Sequence, residues 1–256
     1  MSATLCYEHP LNERIRLLLR LEFLFEKVNQ TAVGDSIWES LTALQGLFEI
    51  LGMAGRNEFR SDFLRELERH AAMLERLRRS AQVDPQLLDA VLREISLTIE
   101  GLRGLNHMAL EALRRNEFLS AVRQRSAVPG GICQFDLPAL HYWLQQDSSV
   151  RIRHLNEWLE PLQPLQLAID LLLKLVRDSA EPRESVAARS FFQQTLDSHS
   201  PNQLVRVWLP AEVGVFPEIS GGRHRFTIRF MEQSDPNQRA GQSKANIRFW
   251  LACCVF

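Results

Sequence analysis

The side chains in this sequence best equipped for chemistry are guanidinium groups. Of 30 basic residues, 27 are arginine; only Lys27, Lys174 and Lys244 are lysine. A guanidinium offers a planar fork of donors that grips a carboxylate or phosphate through two parallel hydrogen bonds, which an ammonium cannot do. Genomic base composition alone can raise arginine content, so placement must separate that source from a recognition role. Arg16 and Arg20 stand four apart and share one helix face. Arg123 and Arg125 sit in the run Val122 to Arg125. Toward the C-terminus, period-two alternation puts Arg206 with Trp208, Arg225 with Thr227 and Arg229, and Arg248 with Trp250, all opposite apolar positions. Arg223 follows the glycine turn Gly221-Gly222. The pattern predicts one sheet face of arginine interleaved with tryptophan. Exposed tryptophan is unusual unless it packs or binds.

Other chemistry is missing from the pattern. There is no Walker loop, dinucleotide fingerprint, H-E-x-x-H or G-x-S-x-G elbow. The seven histidines are scattered; His141 lies beside Tyr142 and Trp143 and reads first as a half-buried structural residue. Carboxylates alternate with arginines along helix faces, as in Arg65 to Arg69, and read as solvated surface. Cys6, Cys133, Cys253 and Cys254 form no C-x-x-C pair and no zinc spacing, which predicts reduced thiols in a cytoplasm. The expectation is a protein that is not an enzyme and uses no cofactor and no metal.

The chain has 256 residues with 31 acidic side chains, so its formal net charge is −1. That balance excludes a generic polyanion binder working through bulk charge and an acidic disordered chain. The length suits one large domain or two small ones. No signal peptide and no membrane-spanning stretch is expected, since the most apolar segment, Leu165 to Val176, contains Gln166, Asp170 and Lys174.

The elements that must position these groups fall into two textures, predicting an α+β protein. A large N-terminal helical domain, residues 1–180, precedes a small antiparallel β domain, residues 181–256. Residues 3–7 and 132–135 are candidates for added strands. Helices are predicted from Asn12, from the capping box Ser36-x-x-Glu39, over 57–79, after Asp84-Pro85, from Asn106 through Arg125, from Pro138 to Leu144, after Ser148, and over 165–178. Residues 179–190 read as a linker and 191–196 as a short helix or strand. The alternating segments 204–209, 224–231 and 246–251 predict one sheet with one buried face. From Leu204 onward there are seven basic and four acidic residues, a local +3.

Two partner classes fit a basic-aromatic face. A nucleic-acid module would stack single-stranded bases on it; the pieces 116–125 and 136–144 imitate a helix-turn-helix, but the connection is too long. An acidic peptide uses every unusual feature: arginine over lysine, an aromatic floor for an apolar anchor, and no catalytic set.

Four pieces of the chain resemble the ZapD family of bacterial division proteins: YEHPLNERIRLLLRLEFLF (7–25), VRQRSAVPGGICQFDLPALHYWL (122–144), FPEISGGRHRFTIRFM (216–231) and LACC (251–254). The resemblance implies a cytoplasmic homodimer recruited to midcell, with a helical and a β domain. It implies binding of the acidic C-terminal tail of FtsZ, bundling of FtsZ protofilaments, a stabilised Z-ring and lowered FtsZ GTPase activity. Within the matching pieces, the basic candidates are Arg16, Arg20, Arg123, Arg125, His141, Arg225 and Arg229, with Arg223 at a variable place; Arg206 and Arg248 come from the sheet pattern alone. Glu117 stands where some relatives carry a basic residue.

Overall fold

The computed structural model describes residues 3–54, 58–78, 83–105, 107–197, 201–222 and 224–255. It is α+β: helices occupy the stretch from Glu13 to Arg177, and all strands but the first follow them. By packing, the chain divides into one unit of Met1–Leu19 with Leu173–Phe256 and another of Arg20–Leu172.

The helices are α1 Glu13–Ala32, α2 Ile37–Ala54, α3 Glu58–Leu77, α4 Pro85–Arg103, α5 His107–Arg115, α6 Glu117–Ser126, α7 Pro138–Leu144, α8 Ser148–Leu159 and α9 Gln163–Arg177. Their starts follow the capping chemistry. Asn12 Oδ1 accepts from the Ile15 amide at 3.0 Å. Ser36 Oγ accepts from Trp38 N–H at 3.2 Å while Glu39 accepts from Ser36 N–H at 3.0 Å, a reciprocal box. Asp84 caps α4 through the Gln86 amide at 2.8 Å. The single helix expected through 106–125 is two, because the Asn116 side chain accepts from Leu119 N–H at 2.9 Å and starts α6 afresh. Residues 132–135, expected as a strand, are successive turns. The preceding Gly130, at φ 72°, already bends the chain where a side chain would be strained.

The helices α3 and α4 form an antiparallel hairpin. Phe63, Leu67 and His70 are buried from one side, and Leu88, Ile95, Ile99 and Leu102 from the other. These positions recur at spacings of three, four and seven, so they stay on one seam. Ion pairs Arg78–Asp89 and Arg103–Glu68, each at 2.7 Å, tie the outer edges.

The strands are β1 Thr4–Pro10, β2 Arg183–Ala187, β3 Phe191–Thr195, β4 Asn202–Pro210, β5 Val215–Gly221, β6 Arg225–Glu232, β7 Gly241–Gln242 and β8 Ile247–Val255. They make two antiparallel sheets and not the one expected. One has the order β1-β4-β8-β2; the other is β3-β6-β5, with β7 also on β6. The apolar sides face each other. Val205, Val207, Leu209, Ile247, Phe249 and Leu251 of the first sheet form one core with Phe226, Ile228 and Phe230 of the second. Phe249 meets Phe230 at 5.0 Å and Phe192 edge-on at 5.3 Å. The stretch 179–190, expected as a linker, contains β2, and residues 191–196 settle as strand β3.

Candidate functional site

Stacking the two sheets on their apolar sides turns their polar sides apart. Arg206, Trp208, Arg248 and Trp250 lie on the outer side of the first sheet, and Arg225, Thr227 and Arg229 on the outer side of the second. The single arginine–tryptophan face expected from alternation is therefore corrected to two faces on opposite surfaces.

On the first sheet the cations are partly spent internally. Glu8 on β1 is gripped by Arg177, whose Nε and Nη2 donate to its two oxygens at 2.9 and 2.7 Å. Arg206 Nε lies 2.8 Å from Glu8 Oε1 without hydrogen-bond alignment, and its guanidinium sits 4.7 Å over the Trp208 ring. Next to this cluster Cys254 is fully buried and its thiol is pushed up to about 12, chiefly by burial. Arg248 is exposed, beside Trp250, which is 40 % exposed.

On the second sheet Arg225 is exposed at the start of β6, and Arg229 is exposed and 3.6 Å from Glu218 across the strand pair. A hollow of about 460 Å³ opens at the β5–β6 turn, lined by Gln193, Ser220, His224, Arg225 and Thr227. The turn is tightly held. Gly222 N–H donates to the Arg225 carbonyl at 3.1 Å, and Leu196 N–H donates to the His224 carbonyl at 2.8 Å. Gly221 must be glycine here, since an added Cβ would lie 2.6 Å from Phe226 Cβ.

The same unit contains β1 and the start of α1. His9 lies on β1, with its ring Nε2 buried and without a hydrogen-bond partner. Burial first, then Arg16, hold its pKa below 6.5, and the Gly221 backbone offsets them in part. Arg16 itself is fixed by Glu13, Nε to Oε1 at 3.2 Å. Arg20 is exposed one turn further along α1.

In the helical unit Arg123 and Arg125 are exposed on α6, with Arg125 3.8 Å from Asp136. His141 is half-buried on α7, where it is followed by the 71 % exposed Tyr142. Arg223 lies outside the described residues.

Sequence reasoning missed Arg151, which is buried on α8. Its Nε donates to Ser40 Oγ at 3.0 Å, and its terminal nitrogens reach the carbonyls of Leu144, Gln146 and Asp35. The signal was present: Arg151 stands four residues before the buried Leu155, on the apolar stripe of α8. Among the described residues no helix is long and apolar enough to cross a membrane.

The profile of the ZapD family, described as a cell division protein, matches residues 19–229. The chain is 38% identical over 255 residues to cell division protein ZapD of Methylococcus capsulatus, covering 100% of both chains. It is 38% identical over 248 residues to ZapD of Aromatoleum aromaticum, covering 97% of this chain and 96% of the relative. Against ZapD of Yersinia pseudotuberculosis it is 35% identical over 254 residues, 99% of each. With a family profile over most of the chain and relatives 35–38% identical along nearly its whole length, the chain belongs to the ZapD family of cell division proteins.

Proposed function

We propose that this division factor is a cytoplasmic, homodimeric adaptor, recruited to midcell, that binds the acidic C-terminal tail of FtsZ. Two tail sites on one dimer engage two protofilaments, and avidity raises the apparent affinity without new contacts. Bundling, a stabilised Z-ring and lower FtsZ GTPase activity follow from that crosslinking. In the β unit the tail contacts are carried by Arg225, Arg229 and Arg16; Arg20, in the other unit, is a further candidate. Arg123, Arg125 and His141 supply further contacts from the helical unit, and Arg223 and Arg248 from the β strands' surroundings. Arg206 serves by ordering Trp208. The observation that carries the reading is the exposed Arg225–Arg229 face beside an open hollow.

The rival reading, a nucleic-acid module, needed arginine and tryptophan on one platform for base stacking. The first sheet keeps Arg206, Trp208, Arg248 and Trp250 on one outer face, but Arg206 is held by Glu8 and sits over Trp208, which leaves Arg248 beside Trp250 as the exposed part of that platform.

A labelled FtsZ tail peptide titrated against wild type and the double variant Arg225→Glu/Arg229→Glu tests the contacts. Each lost charge-assisted bond weakens binding, and the pair is expected to cost about tenfold or more; equal affinity removes the assignment. Sedimentation of FtsZ with GTP tests the function: folded protein that pellets no more FtsZ than buffer ends the bundling reading.

A further inference from the structure

Strands β2 and β3 are joined through a tight loop, Arg189-Ser190, closed by the Phe191 N–H donating to the Ala188 carbonyl at 3.1 Å. Both loop residues have positive φ, 48° and 59°. Such a loop suits Asn-Gly; arginine and serine adopt it only at a cost in strain. The stretch 242–246 holds it in place. Arg189 N–H donates to Asn246 Oδ1 at 2.9 Å, and Gln242 Nε2 donates to the Arg189 carbonyl at 3.3 Å. Ser190 Oγ donates to the Ala245 carbonyl at 3.0 Å, and Ser190 is buried, so serine has a structural use here. Arg189 is exposed, and its guanidinium forms no ion pair among the described residues. Lys244, one of only three lysines, is likewise exposed and unpaired among the described residues. The two cations line one hollow of about 460 Å³ with Gln242 and Ser243, and no carboxylate belongs to that described lining. The hollow adjoins the outer face of the second sheet. Phe191, 43 % exposed, follows the loop directly and lies opposite Arg229. Gln242 pairs with Met231, two residues beyond Arg229 on β6.

We propose that the Arg189–Lys244 hollow is a second carboxylate-binding site, which takes the acidic-peptide ligand beyond Arg229, with Phe191 as the floor for an apolar residue between the charges. The inference rests on the acidic-tail reading above. Arg189 supplies a fork for a carboxylate, and Lys244 supplies a point charge beside it. From Arg225 to Met231 an extended strand covers roughly 20 Å, so a peptide of about seven extended residues reaches from the hollow at the β5–β6 turn to this one. The strain acquires a reason on this reading. Asparagine at position 189 fits a left-handed backbone and keeps the amide bond to Asn246, but it carries no charge. The loop trades backbone ease for a cation at a fixed point beside β6.

The test is titration of the labelled acidic FtsZ tail peptide at low salt against wild type, Arg189→Asn, Lys244→Gln and their double variant, with a thermal midpoint for each. Each single variant is expected to weaken binding about threefold and the double variant about tenfold, the span of one and two exposed charge pairs. Arg189→Asn is expected to equal or exceed wild type in thermal midpoint, because strain is relieved while the charge is lost. Lys244→Gln, at an exposed position outside the strands, is expected to leave the midpoint unchanged. A double variant that binds like wild type, while Arg225→Glu/Arg229→Glu still weakens binding, overturns this site and leaves the acidic-tail reading standing. An Arg189→Asn variant that loses stability together with affinity also overturns it, since arginine would then serve the fold. A wild type that binds no peptide overturns the acidic-tail reading and, with it, the second site.

Discussion

At the scale of single residues, the arginines divide by what they touch. Arg151 meets hydroxyl and carbonyl oxygens and draws together the α1–α2 loop, α2, the end of α7 and α8. Three of its acceptors are carbonyls, including those at the end of α7, which a cation also favours through the helix dipole. Replacing it with methionine keeps the apolar stem and strands those acceptors, so Arg151→Met is expected to destabilise the protein by about 3 kcal/mol, read as a lower denaturant midpoint. Cys254 gives a second expectation at this scale. Its thiol is buried and pushed up to about 12, so almost no thiolate exists at pH 8. A thiol reagent should label exposed Cys6 in the native protein and reach Cys254 only on unfolding; native labelling of Cys254 would contradict the packing of β8. Arg151 was legible only from its place on the apolar stripe of α8, and the burial of Cys254 was not legible at all. An arginine on a helix reads as surface unless its stripe is checked, and a cysteine's burial depends on what crosses its sheet.

At the scale of elements, legibility followed local chemistry. Ser36, Asp84 and Pro138 announced helices because caps and first-turn proline act within four residues. Asn116 did not, because apolar spacing continues on both sides of it and masks the break. Asn116→Ala removes the 2.9 Å bond to Leu119 N–H and is expected to cost about 1 kcal/mol, a shift of a few degrees in a thermal scan. A variant of unchanged midpoint would mean that α5 and α6 need no cap between them. Strands β2 and β5 escaped notice for related reasons. RESVA is short and charged, and VFPEISG carries a proline and a terminal glycine, both depleted from strands. Pro217 is tolerated because β5 is an edge.

At the scale of the whole molecule, alternation identified a buried side on β4, β6 and β8 but not the sheet to which each belongs. That assignment depends on pairings such as β1 with β4, between residues about 200 apart in sequence, which no local period encodes. The family resemblance supplied the division role, and the sheet assignment redistributed the arginines. The charge consequence can be measured. The molecule carries a formal −1, so no global attraction draws an acidic tail toward it. Attraction must come from local cations such as Arg225, Arg229 and Arg20, which are exposed and hence screened. Two exposed ion pairs contribute up to about 1 kcal/mol each. Raising salt from about 0.05 to about 0.3 M shortens the screening length from roughly 14 to roughly 6 Å, which damps the longer-range attraction of these cations and should weaken tail binding by roughly tenfold. Arg225→Lys separates charge from shape. It keeps the cation, and therefore the salt dependence, but loses the planar fork, so affinity should fall about threefold at every salt concentration. A salt-independent affinity would place the binding in apolar contacts instead, and an Arg225→Lys variant that binds like wild type would leave the excess of arginine over lysine without a role at that position.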